Sequence, residues 1–158
     1  MPKLLKWLTF SAVVIALDLY TKYLVSSSFA YGEHRPVTSF FDLVLFHNEG
    51  AAFSFLAGMG GWQRVFFSVV AFIASVVIVH LLRKHPQKTL FCFALSLVLG
   101  GALGNLYDRL TLGYVVDFLF FHYQGWSWPA FNVADSAICV GVVLLLWDGF
   151  TQKKQTPA

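Results

Sequence analysis

Two runs of 18 residues, Val65 to Leu82 and Leu90 to Tyr107, contain no Asp, Glu, Lys or Arg. Each approaches the ~20 apolar residues needed to cross a bilayer core. In hydrocarbon a single segment satisfies its own backbone only as a helix. The chain around them is 58% hydrophobic and 12% charged, with a mean hydropathy of +0.67. A soluble domain averages roughly 45–50% apolar and about 25% charged residues. These values exclude a disordered chain and argue against a soluble globular one. A length of 158 residues suits a single domain.

Two further apolar runs are shorter. Trp7 to Leu17 ends at Asp18, and Ser136 to Trp147 lies between Asp135 and Asp148. Each spans a bilayer only by taking an Asp into the helix end. An ionisable residue inside a span is expensive, so it marks a candidate functional site. The reading is four spans, at about 7–25, 64–82, 89–108 and 134–149 of one domain covering 1–158. A cleaved leader competes for the first span, because Lys3 and Lys6 precede an apolar run that leads to Ser28-Phe29-Ala30. Asp18 and Lys22, four residues apart, favour a continuing helix instead.

The cations set an orientation. Lys3 and Lys6, then Arg83, Lys84 and Lys88, then Lys153 and Lys154 fall on one side of a four-span layout. By the positive-inside rule that side is the cytoplasm, with both termini on it. The sequence pI of about 9.0 therefore reflects topology and not a nucleic-acid surface. Of the acids, only Asp148 shares that side; the rest lie at or beyond the outer face. Residues 26–63 and 110–133 form the outer segments. Val37 to Phe46 and Tyr114 to Phe121 are rich in β-branched and aromatic residues and predict strands. Gly32, Pro36, the Gly58-Met59-Gly60-Gly61 cluster, Gln124-Gly125 and Pro129 predict breaks. The fold class is thus a membrane α-helical protein, with four transmembrane helices under a small β-rich extracytoplasmic cap. The tail from Gln152 to Ala158 reads as disordered.

Asp117 and Asp135 are the leading candidates for chemistry. A 17-residue connection between them leaves the third span and returns to the fourth, so it can bring both carboxyls to one depth. Two carboxyls sharing a site cannot both ionise cheaply, and the pair then offers a base and an acid together. Alternatively, Asp135 caps the following helix and Asp117 is a solvated loop residue. Gly101, Asn105 and Arg109 form an i, i+4, i+8 stripe, and Gly100 with Gly104 adds the small-residue spacing of close helix contacts. Arg109 could hold a carboxylate or head group or snorkel to the interface. Asn48-Glu49-Gly50-Ala51-Ala52-Phe53-Ser54 permits close backbone approach, or is an ordinary turn. His47 and His122 read as interface residues. Cys92 and Cys139 have no partner at metal or redox spacing.

Five segments in order resemble the bacterial lipoprotein signal peptidases (signal peptidase II). They are Asp18-x-x-x-Lys22, Asn48 to Ser54, Gly100 to Arg109, Gly113 to Phe118, and Phe131 to Ser136. The resemblance implies an aspartyl endopeptidase of the bacterial inner membrane. It would remove the signal peptide from prolipoproteins, cutting before the diacylglyceryl-modified cysteine, with no cofactor and no metal. It assigns Asp117 and Asp135 as the catalytic pair. Asn48, Gly50, Gly101, Asn105, Arg109, Asn132 and Ala134 would line or support the site, and Asp18 with Lys22 would be a structural pair. Asn132 or backbone donors near Asn48 would steady the oxyanion. The partners implied are lipidated prolipoproteins and membrane lipid, with no nucleic acid; the protein would act as a monomer. Leu19 and His47 depart from the family pattern, which commonly has Gln and Tyr there. The competing readings are a GxGD-type intramembrane protease, for which the Gly113 to Asp117 spacing is wrong, and a small transporter relaying protons through the two acids.

Overall fold

The apolar runs become four helices in a computed structural model that describes residues 2–50 and 61–153. They are α1 (Pro2–Ser28), α2 (Trp62–Lys84), α3 (Thr89–Thr111) and α4 (Val133–Lys153). All four are long and apolar enough to cross a membrane. Each runs past the charge-free stretch that signals it, because the helix carries its flanking polar residues toward the headgroups. Hydroxyls within the spans are satisfied locally: Thr9, Thr21 and Ser75 each donate to the carbonyl four residues earlier. α1 is continuous from Pro2 to Ser28 and packs against α3 and α4, with Asp18 and Lys22 paired on it. The C-terminal helix holds Gln152 and Lys153, two residues expected in a disordered tail. Lys154 and the remainder of that tail lie outside the described residues.

α3 is the central helix and touches all three others. Its small residues explain how. At Gly101 a Cβ would overlap the Ala134 carbonyl of α4, and at Gly104 it would come within 2.5 Å of Asp18 Oδ2 on α1. So Gly100 and Gly104 face α1, whereas Gly101 faces α4. At the opposite end, Trp7, Ile78, Leu82, Cys92, Leu95 and Leu99 form an apolar core. There Trp7 Nε1 donates to the Pro86 carbonyl, and the Lys3 ammonium reaches Gln87. The N-terminus of α1 and the α2–α3 turn, with their cations, thus share one end of the bundle.

The other end carries a four-stranded antiparallel sheet in the order β1-β2-β3-β4. Its strands are β1 (His34–Pro36), β2 (Phe41–Asn48), β3 (Val115–Tyr123) and β4 (Trp126–Ser127). β2 and β3 match the expected strands with shifted ends. β1 is a strand that the sequence did not signal; its Pro36 stands at the end of a three-residue edge strand, where a missing N–H is tolerated. Gln124 and Gly125, both with positive φ, make the β3–β4 turn. Val25, Leu45, Val116 and Phe118 pin the sheet to the end of α1. Residues 51–60, including Ala51 to Ser54 and Gly58 to Gly60, lie outside the described residues.

One irregularity in the sheet positions the site. Leu43 pairs with Leu119, but Phe46 pairs with Asp117, so β2 has one residue more than β3 in that interval. This β-bulge buries Val44 and Leu45 in succession. Beyond it, Asn48 shares a sheet face with Phe46 and Asp117. Without the extra residue, strand parity would turn Asn48 to the opposite face. On the outer sheet, His122 Nε2 lies 3.0 Å from Asp42 Oδ1 and His34 Nδ1 lies 3.3 Å from Asp42 Oδ2. His47 stacks on Tyr114 with ring centroids 3.9 Å apart.

Candidate active site

The site is assembled where β2 and β3 meet the C-terminal end of α3 and the start of α4. Asn132 is its centre. It precedes α4 as an N-cap, with Oδ1 accepting from the Asp135 N–H at 2.9 Å. Asp135 reaches back, and its Oδ2 accepts from the Asn132 N–H at 3.3 Å. This reciprocal pair is a capping box. The cap expected at Asp135 is therefore supplied by Asn132, and Asp135 occupies the third helical position. The Asn132 amide also donates to Asp117 Oδ1 at 2.7 Å. One fully buried residue thus holds both carboxyls, Asp117 through its side-chain amide and Asp135 through its backbone N–H.

Two more amides complete the arrangement. Asn48 Nδ2 donates to Asp117 Oδ2 at 3.0 Å, and its Oδ1 accepts from the Gly50 N–H at 2.9 Å. Asn105 Nδ2 donates to Asp135 Oδ1 at 2.7 Å. Every carboxyl oxygen of the pair therefore has an amide donor. Asp117 is only 2% exposed. Its burial, and then the neighbouring Asp135, push its carboxyl up to about 7 against the holding effect of Asn48 and Asn132.

A cavity of about 530 Å³ opens beside these groups. Its wall includes Asn48, Gly50, Phe67, Arg109, Asp135 and Cys139, together with residues 128–131. Arg109 does not snorkel away: its guanidinium lies 5.3 Å from the Phe67 ring, and Nη1 donates to the Asn105 carbonyl at 3.3 Å. The segment before α4 pairs backbone with β3 through Phe131 and Leu119. Asn132 is sealed behind this wall with its amide committed to Asp117, Asn105 and Val116. It is a holder of the carboxyls, which replaces the expectation that it would face an oxyanion.

The remaining candidates sit behind the carboxyls. Gly101 and Ala134 form the α3–α4 contact just below Asp135. Asp18 Oδ1 accepts from the Ala134 N–H at 2.8 Å. Lys22 pairs with Asp18 Oδ2 at 2.7 Å, as its i, i+4 spacing suggests. It also pairs with Asp108 Oδ2 at 2.9 Å. The sequence reading passed over Asp108. The available signal was its position in a helix whose neighbouring turn already carried Asn105 and Arg109.

Four membrane-length helices and two carboxyls held by one asparagine, Asp117 buried and Asp135 on the cavity wall, define a membrane-embedded protein of the aspartic-peptidase class. A family model described as signal peptidase (SPase) II matches residues 10–151. A lipoprotein signal peptidase of Janthinobacterium sp. (strain Marseille) is 54% identical over 92% of this chain and 88% of the relative. One from Ralstonia nicotianae is 58% identical over 90% of this chain and 82% of the relative. A solved structure described as a bacterial membrane enzyme superposes with a TM-score of 0.82 at 30% identity, covering 97% of this chain and 94% of that one. The chain belongs to the signal peptidase II family. It is a multi-pass membrane aspartic endopeptidase that removes the signal peptide from prolipoproteins. This decides against the GxGD-protease and transporter readings.

Proposed function

We propose that Asp117 and Asp135 are the catalytic pair of this peptidase, with Asp117 carrying the shared proton and Asp135 acting as the base. The observation that supports this most is Asn132, which holds Asp117 through its side-chain amide and Asp135, on the cavity wall, through its backbone N–H. Their surroundings differ in a way that divides the roles. Asp117 is enclosed in the sheet, where burial favours its neutral form. Asp135 stands in the first turn of α4 and lines the cavity, where water and substrate can reach it.

Asp135 takes a proton from water, and the resulting nucleophile attacks the scissile carbonyl. Asp117 donates its proton to the carbonyl oxygen, giving a gem-diol; the acid formed at Asp135 then protonates the amide nitrogen as the C–N bond breaks, and Asp117 recovers its proton from a diol hydroxyl. The pair titrates as a unit. Asn48, Asn105 and Asn132 hold the carboxyls in register. Gly101 and Ala134 set the approach of α3 to α4. Arg109 and Gly50 meet the substrate, with the extended segment 128–131 offering backbone to the peptide. Acyl tails of the substrate remain in the bilayer beside the helices. The protein works as a single-domain monomer in the inner membrane, with both termini in the cytoplasm and the site near the outer face. The cations clustered at the far end of the bundle support that orientation.

The test is cleavage of a diacylated prolipoprotein by purified protein in micelles, followed by gel mobility. Asp117→Asn and Asp135→Asn should each lower the rate by about 10²–10⁴-fold, the usual contribution of a general acid or base. Either variant cleaving at the wild-type rate would refute the pair. Equal rates on lipidated and unlipidated substrate would refute lipid recognition alone.

A further inference from the structure

Behind the carboxyls lies a second polar cluster, fully enclosed. Lys22 Nζ has three oxygen neighbours: Asp18 Oδ2 at 2.7 Å, Asp108 Oδ2 at 2.9 Å and Asn105 Oδ1 at 2.9 Å. Lys22 and Asp108 are 3% and 2% exposed, and Asp18 is not exposed at all. Each neighbour continues to a different part of the catalytic pair. Asp18 Oδ1 accepts from the N–H of Ala134, the residue before Asp135. Asp108 Oδ2 accepts from the N–H of Val116, the residue before Asp117, at 3.2 Å. Asn105 Nδ2 donates to Asp135 itself.

We infer that Asp108 is a positioning residue of the peptidase reaction: with Lys22 as a hub, it ties the strand carrying Asp117 to the same point that holds the start of α4. The inference rests on the assignment of Asp117 and Asp135 as the catalytic pair. Its physical argument is economy of attachment. The two carboxyls stand on different kinds of element, a strand of the cap and a helix of the bundle; Asn132 and the Phe131–Leu119 pairing join them on the cavity side, and the Lys22 cluster joins the same two elements from behind. Asp108 is on α3, which packs on α4 through Gly101 and on α1 through Gly104. A carboxylate there can grip a β3 amide while anchored to Lys22 of α1. Enclosing two carboxylates with one ammonium is costly, and well-packed apolar side chains would often be at least as stable. Residual placement of the cost next to both reacting groups is what a positioning role requires. A displacement of about 1 Å at reacting groups costs on the order of 10²-fold in rate.

The experiment compares Asp108→Ala, which removes the acceptor, with Asp108→Asn, whose amide oxygen can still accept from Val116 N–H and Lys22. Both are purified in micelles, checked by thermal midpoint, and assayed on diacylated prolipoprotein. Asp108→Ala should lower kcat by about 10²-fold with KM little changed, and Asp108→Asn should restore most of that kcat. Should Asp108→Ala not be recovered folded, Asp108→Leu fills the space without an acceptor and takes its place. Wild-type kcat in the acceptor-free variant overturns the inference. So does a loss that appears equally in kcat and KM, is not restored by Asn, or leaves only Asp108→Asn recoverable as folded protein, because each marks a purely structural role. If Asp117→Asn and Asp135→Asn are inactive while Asp108→Ala is normal, the catalytic pair stands and only the positioning role falls. Activity in the Asp117 or Asp135 variants removes the pair itself.

Discussion

Replacing Asp117 by Asn should change how stability depends on pH, by an amount the site's burial sets. The carboxyl is raised from 3.8 to about 7 by enclosure and by Asp135. Near pH 3 and below, it is neutral in both folded and unfolded chains and produces no pH slope. Between about pH 4 and 7 the unfolded carboxyl ionises while the folded one keeps its proton, so wild-type stability falls as pH rises. Above about 7 the full difference is in force: roughly 3 units at 1.36 kcal/mol each, or about 4 kcal/mol. Asn titrates with neither state and lacks this slope. Its NH₂ also meets the Asn48 or Asn132 amide donor, which costs about 1–3 kcal/mol at every pH. The measurable quantity is therefore the change in the difference. Thermal midpoints of both proteins are followed from pH 4 to 8 in one detergent. The midpoint of Asp117→Asn should rise relative to wild type across that range, by about 2–4 °C per kcal/mol for a chain of this size. Groups common to both proteins cancel in the comparison. Parallel midpoint curves would refute the reasoning, since they would mean that Asp117 ionises in the folded protein as it does in water.

Gly101→Ala tests the α3–α4 approach: its methyl would collide with the Ala134 carbonyl, so α4 and Asp135 must shift. The expected result is a stability loss of about 1–3 kcal/mol with a drop in kcat, read by thermal midpoint and cleavage rate; an unaltered kcat would show that Asp135 is placed independently of that contact. Cys139 lines the cavity and is exposed, whereas Cys92 is buried. A small membrane-permeant thiol reagent should therefore block cleavage in wild type and leave Cys139→Ser active; a wild type labelled at Cys139 yet fully active would place the substrate elsewhere.

Much of the architecture was legible because the membrane simplifies the problem. Val65 to Leu82 and Leu90 to Tyr107 have one backbone solution in hydrocarbon, and the Lys and Arg clusters between spans order them. The stripe of Gly101, Asn105 and Arg109 on α3 pointed correctly to an inward face. What escaped was whatever depends on register or on distant partners. β1 has three residues and a proline, too little for an alternation pattern. The bulge at Val44 and Leu45 is invisible in a run that is apolar at most positions, yet it decides which face Asn48 occupies. Asp108 stood in the sequence only as one acid of the Gly100 to Arg109 segment. Its partners, Lys22 and Val116, come from a different helix and a strand.

On the proposed assignment, the two carboxyls show how a fold gives like residues unlike surroundings. Identical environments would leave one proton undecided between two sites. Here one acid is placed on a strand and walled by the sheet, and the other is built into the first turn of a helix. The capping box at Asn132 joins these environments without equalising them: its backbone and Oδ1 serve Asp135, and its amide serves Asp117. A bilayer boundary suits such a pair. Water must reach the carbonyl, yet one carboxyl must stay poorly solvated to keep its proton near neutral pH. A helix end at the membrane boundary meets the first condition and a covering sheet meets the second. That combination accounts for a site at the junction of cap and bundle and not at the middle of a span.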